Sequence, residues 1–230
     1  MNLALQTTVR SICLWAVLTL CMLASIHGVF LDAPRERVMG DVQRIFYFHF
    51  PAALGSFLAF AVVCFAGVSY LCTRQRRWDH LGRASAEVGV LFCTIVLVSG
   101  PLWAKSAWGT WWTWEARLTT MLVLWLLYIS YLMIGLYTDS REQRARAAAV
   151  VGIVAFLDVP IVYFSVKWWR GHHPIILGRG GEGGLSPEMW PVVWICLVTF
   201  LLLYGILVGL RMSLARAEDI VLDMEEHLQN

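Results

Sequence analysis

The feature that most constrains this chain is the recurrence of six long apolar segments, at about 12–31, 47–72, 86–104, 120–137, 147–168 and 191–211. Each approaches the ~20 residues that a helix needs to cross ~30 Å of hydrocarbon. Hydrocarbon offers no water to backbone N–H and C=O groups, so such segments must close their hydrogen bonds internally, as helices. Composition leaves little room for anything else: 59% of the 230 residues are hydrophobic and 15% charged, too apolar for a soluble domain. The expected fold class is all-α, a polytopic membrane protein with six transmembrane helices and a single membrane domain over 1–230. The first segment is longer than the apolar core of a signal peptide and has no small-x-small cleavage site after it, so it reads as a retained span.

Charge then sets the expected orientation. Six spans place both termini on one side, together with Arg10, Arg74, Arg76, Arg77, Arg83, Arg141, Arg144, Arg146, Arg211 and Arg216. The other side carries Arg35, Arg37, Arg44, Lys105, Arg117, Lys167, Arg170 and Arg179. The bias is modest, but two loops of the first set are short and densely basic, where the positive-inside rule has force. Both termini are expected to be cytoplasmic. The tail from about 212 to 230 reads as a short helical extension on that face, acidic at Glu218, Asp219, Asp223, Glu225 and Glu226. With a net charge of +2 already accounted for by topology, the arginines carry no nucleic-acid signal.

Several motifs are absent or empty. The six cysteines lie within or at the ends of spans, with no Cys-x-x-Cys and no Cys-x-x-Cys-His, which excludes a thiol-redox pair and a covalent haem attachment site. Gly178-Arg-Gly-Gly-Glu-Gly183 has the spacing of a dinucleotide fingerprint but follows a membrane span rather than a strand. No Walker A sequence is present.

The loop at about 103–119 is different in kind. It gathers Trp103, Trp108, Trp111, Trp112 and Trp114, five of the twelve tryptophans, with Glu115 and Arg117 among them, between two spans on the expected outer face. Continued as a helix at 100° per residue, it would put Trp108, Trp111, Trp112, Glu115 and Thr119 on about one third of the circumference. Such a floor suits a large, flat, apolar ligand with charged edges, and haem is such a ligand. An interfacial aromatic belt is the competing explanation.

Histidine placement bears on the same choice. His49 lies in Tyr47-Phe-His-Phe-Pro51, with the proline suited to a first helical turn, at the outer rim of the second span. His172 and His173 follow Trp168 and Trp169 at the outer end of the fifth, in an outer loop spanning about 169–190. Two imidazoles facing each other are a common way to hold haem iron, although each histidine could equally be a hydrogen-bonding interfacial residue. His27 is a third-ranked ligand. Asp158, about halfway along the fifth span and two residues before Pro160, is either functional or a protonated helix–helix hydrogen bonder.

Trp108-Gly-Thr-Trp-Trp-Thr-Trp-Glu-Ala-Arg-Leu-Thr-Thr resembles the "WWD" signature of the haem-handling membrane proteins of cytochrome c maturation. The whole chain is similar to their CcmC type, through Tyr-Phe-His49-Phe-Pro-Ala-Ala before the motif, Ser-Gly-Pro-Leu-Trp-Ala-Lys leading into it and Ser165-Val-Lys-Trp-Trp after it. The resemblance implies a multi-pass inner-membrane protein, not an enzyme, that binds non-covalent b-type haem at the periplasmic face. It implies Trp103, Trp108, Trp111, Trp112, Trp114, Glu115 and Arg117 as haem-binding residues. His49 and His173 would be bis-histidine axial ligands, His173 by its distance of four from Trp169. It further implies transfer of haem to a CcmE-like chaperone, in a complex with CcmA/CcmB-like ABC transporter subunits and a small CcmD-like membrane protein. Glu115 stands where the family usually has Asp, and Asp158 where it tends to carry an amide. The alternative function is a b-type cytochrome subunit for electron transfer, which would need histidines deep in two facing spans. A one-protein cytochrome c synthase would be larger, with a second intramembrane histidine pair.

Overall fold

A computed structural model of the chain describes residues 2–136, 140–169 and 185–229. Within them lie seven helices: α1 Asn2–His27, α2 Phe46–Thr73, α3 Arg76–Trp108, α4 Ala116–Met133, α5 Arg141–Phe156, α6 Asp158–Trp168 and α7 Trp190–Gln229. Among the described residues they provide six segments long and apolar enough to cross a membrane, with α5 and α6 sharing one. The only strand-like pairing described is an isolated bridge between Glu36 and Gly40.

Two helices outrun their apolar stretches. α3 begins at Arg76, ten residues before its hydrophobic segment, and α7 continues to Gln229 without interruption. The charged extensions meet one another: His80 Nε2 lies 2.9 Å from Asp219, and Arg211 pairs with Glu87. The expected fifth span is broken at Leu157. Pro160 supplies the reason, since it lacks the N–H that would bond the Phe156 carbonyl and its ring would crowd that carbonyl. A new helix starting at Asp158 places the proline within its first turn, where both defects are tolerated.

α2 is the centre of the bundle and is packed by α3, α5 and α7. In lipid the association of helices depends on close packing more than on hydrophobic transfer, so small residues mark the seams. The α2–α3 seam is reciprocal. A Cβ added at Gly55 of α2 would fall 2.6 Å from Phe92 of α3, and one added at Gly89 of α3 would fall 2.6 Å from Phe60 of α2. Each glycine thus receives the other helix's phenylalanine. Phe60 in turn stacks on Tyr128 of α4, ring centroids 3.7 Å apart. The α2–α5 seam works the same way, with Gly67 against the Ala149 carbonyl and Gly152 against Val63. α1 is peripheral and packs chiefly on α7, through Ser25–Thr199 (2.9 Å) and Gly28 against Val192. The end of α1 and the start of α7 join Tyr47 and Trp103 in one buried cluster, which closes the bundle beside the tryptophan loop.

Candidate functional site

A cavity opens at this end of the bundle, between α2, α3, α4, α6 and the 109–115 connection. The walls are apolar: Ala53 and Phe57 from α2, Val96, Leu97 and Pro101 from α3, Met121 from α4 and Val162 from α6. Among the described residues, polar groups come from His49 on α2, the Trp103 indole on α3 and the stretch around Thr110–Arg117.

The tryptophan segment is not the continuous helix drawn from its spacing. α3 ends at Trp108, and Gly109 caps it in the left-handed region (φ 77°), its N–H bonded to the Lys105 carbonyl at 3.1 Å. That conformation suits glycine because a Cβ would be strained in it. The run Thr110–Trp114 then forms no helix, bending at Trp111, and Trp114 takes φ 54° before Glu115 at the N-cap of α4. The tryptophans consequently divide. Trp103, Trp108 and Trp112 line the cavity, together with Glu115 and Arg117. Trp111 and Trp114 do not line it and are 55% and 70% exposed. Trp103 and Trp108 lie nearly parallel, 23° apart with centroids at 6.4 Å, so the floor is built from one helical turn and one loop ring. Trp114 touches it only edge-on, through Trp112. Trp111 faces the Lys105 ammonium, 6.0 Å from its ring centre.

His49 lies in the first turn of α2 and is buried against its neighbours. A 3₁₀ turn, Asp41–Ile45, runs directly into α2, so Pro51 is in the second turn of the helix rather than the first. The imidazole is only 8% exposed. Its ring stands edge-on to Trp103, with centroids 5.9 Å apart, and its Nδ1 lies 2.9 Å from the Ser99 hydroxyl. His173, the expected second ligand, and its neighbour His172 lie outside the described residues, as does most of the 169–190 loop. His27 is not in the cavity: it sits on α1, largely exposed, beside Asp32 at 3.0 Å.

Among the described residues the cavity has indole donors without acceptors. The indole Nε1 atoms of Trp103 and Trp112 are buried, and neither meets an acceptor among the described residues. The Arg117 guanidinium lies on the same lining as the Glu115 carboxylate, which is the opposite charge that acts on it. Buried donors such as the two indoles are seldom left unmatched, and their desolvation is costly. The site is therefore furnished for a ligand that is apolar over most of its area and carries anionic or acceptor groups at an edge. Asp158 is not part of this set. It lies one helical turn from Val162 on α6, with a buried Oδ2 that has no partner among the described residues.

Ser99 is the residue that spacing could have found and composition could not. It falls four positions before Trp103 and three after Val96, so all three share one face of α3, the face that His49 touches.

Comparison with known proteins places the chain. The family described as "Heme exporter protein C" (CcmC) matches residues 2–227. The heme exporter protein C of Escherichia coli K12 is 35% identical over 188 residues, 78% of this chain and 73% of that one. That of Haemophilus influenzae is 34% identical over 210 residues, 89% of this chain and 85% of the relative. That of Bradyrhizobium diazoefficiens is 33% identical over 173 residues, 75% of this chain and 66% of the relative. The chain belongs to this family.

Proposed function

We propose that this member of the heme exporter protein C family binds haem as cargo in the cavity at the tryptophan loop and releases it for cytochrome c maturation. The observation that carries the reading is the pairing of apolar walls with unmatched indole donors at Trp103 and Trp112, and a lining guanidinium at Arg117, around a buried imidazole. Haem has this distribution, a flat apolar ring with two carboxylates on one edge. Among the described residues no three His, Cys, Asp or Glu side chains converge, so a bare metal ion has no cage here. Iron in a porphyrin brings four ligands of its own and asks the protein for only one or two.

The residues divide the work. His49 would ligate the iron, with His173 as the second axial ligand by position in the family pattern. Trp103, Trp108 and Trp112 cover the ring, at roughly 25 cal/mol for each Å² of apolar surface removed from water and about 0.5–1.5 kcal/mol for each good aromatic pair. Arg117 and the indole N–H groups receive the carboxylates. The haem would be b-type, since the chain has no Cys-x-x-Cys-His to attach it. Exposed Trp111 and Trp114, together with Glu115, border the cavity at its loop side and present a surface to a CcmE-like haem chaperone. In this reading the chain is a multi-pass subunit of the bacterial inner membrane, with the cavity toward the periplasm and the arginine-rich ends of α2, α3 and α5 toward the cytoplasm. CcmA/CcmB-like ABC transporter subunits and a CcmD-like protein complete the complex, and the chain itself makes and breaks no covalent bond.

Complementation tests this. In a bacterium whose own heme exporter protein C is deleted, this chain should restore haem-stained c-type cytochromes, and its His49→Ala variant should not. Insertion of both proteins into the membrane with no restoration by the native chain would contradict the proposal.

A further inference from the structure

We infer that Ser99 is a positioning residue that fixes the His49 imidazole in the tautomer needed to bind iron through Nε2. The inference rests on the haem-binding reading above and adds to it a residue with no other assigned part.

A serine hydroxyl has a single proton and two acceptor lone pairs. Ser99 Oγ lies 2.6 Å from the Ile95 carbonyl, a contact that only an O–H donated to that carbonyl can make favourable. The proton of Ser99 is thereby committed to its own helix. The second short contact of the same oxygen, 2.9 Å to His49 Nδ1, must then be a bond that the hydroxyl accepts. His49 therefore carries its proton on Nδ1, and the lone pair is on Nε2. Were the ring in the other tautomer, Nδ1 and the Ile95 carbonyl would compete for one proton, leaving either Nδ1 without a donor or two oxygens 2.6 Å apart with no proton between them.

The packing holds this arrangement in place. Trp103 stands edge-on against the ring, and Gly100 leaves Cε1 room on the α3 side. Ser99, Gly100 and Trp103 thus form a cradle from one turn of α3. A histidine that binds a metal through one nitrogen ordinarily donates its other N–H to a fixed acceptor, which sets ring orientation and raises ligand basicity. Here the acceptor is a hydroxyl already polarised by its bond to Ile95. Loss of such a partner typically lowers metal affinity about 10- to 100-fold.

Two measurements decide the matter. In haem-free native protein labelled with ¹⁵N-histidine, and assigned with His49→Gln, the couplings from the ring carbon protons should identify His49 as the Nδ1–H form. In haem titrations, Ser99→Ala should weaken binding 10- to 100-fold and alter the low-spin ligand-field signals in electron paramagnetic resonance, and Ser99→Thr should restore both. An Nε2–H form in the native protein would overturn the inference without any variant having to fold. So would a Ser99→Ala protein with native affinity and native signals. If instead His49→Ala leaves haem binding and its spectrum untouched, the haem-ligand reading is what fails, and the tautomer measurement still judges the Ser99–His49 pair by itself.

Discussion

Replacing Arg117 with Met keeps most of the side chain's length and removes its charge. Arg117 lines the cavity near Glu115, so its guanidinium is placed to serve the carboxylate edge of the ligand. A hydrogen bond to a charged group contributes about 1.5–3 kcal/mol. With roughly 1.4 kcal/mol for each factor of ten, Arg117→Met should weaken haem binding about 10- to 150-fold. The assay is a thermodynamic cycle, with haem and its dimethyl ester titrated into native and Arg117→Met protein in one detergent. Partitioning of the two ligands into the detergent then cancels. The native protein should prefer haem over the ester, and the variant should lose most of that preference with little change toward the ester. An Arg117→Met protein that discriminates as well as the native one would show that the arginine does not meet the carboxylates.

The divided tryptophan loop predicts that Trp108→Ala and Trp112→Ala lower retained haem while Trp111→Ala and Trp114→Ala leave it near native; haem content after gel filtration reads this, and equal losses at all four would refute the division. Glu115→Asp should be nearly silent, whereas Glu115→Lys should impair haem transfer to a purified CcmE-like chaperone more than haem binding; equal effects on both steps would remove Glu115 from the exit edge. Gly89→Ala puts a methyl 2.6 Å from Phe60, which its stack on Tyr128 prevents from yielding, and 2.9 Å from Ala59. Overpacking of this kind costs about 1–3 kcal/mol. The thermal midpoint should therefore fall, while Gly205→Ala, with nothing within 4 Å, should not move it; matching midpoints would contradict the seam. Asp158→Asn should keep native haem affinity, because Asp158 lies outside the cavity lining; a loss would tie the carboxyl to the site.

The parts of this fold that were legible in the sequence are those set by solvent. Six apolar runs had to become six spans, because hydrocarbon admits few other backbone solutions. The break at Leu157 was half legible: Pro160 announced a weakened helix, but whether it kinks or restarts depends on its neighbours. Hydropathy could not mark the true start of α3, since Arg76–Arg83 is charged and helical for reasons of pairing with α7. The tryptophan loop misled because a helical wheel assumes the helix it is meant to test. Gly109, followed by Thr110, Trp111 and Trp112, carried the stop signal, and reading it first would have separated Trp108 from the residues after it. His49 was found by type and neighbourhood, but the turn before it was missed, because Asp41-Val-Gln-Arg-Ile45 is polar enough to look like loop and yet forms a helical turn. Ser99 went unassigned because a serine in an apolar helix acquires meaning only from what another helix brings to it.

The most direct test of the central claim is the visible spectrum of the purified protein after loading with haemin, native beside His49→Ala. The account predicts a six-coordinate, low-spin Soret band and sharp reduced α-band in the native protein, lost or converted to a high-spin form in His49→Ala, with the variant still inserted in the membrane. A native protein that takes up no haemin, or a His49→Ala variant with an unchanged spectrum, would contradict it.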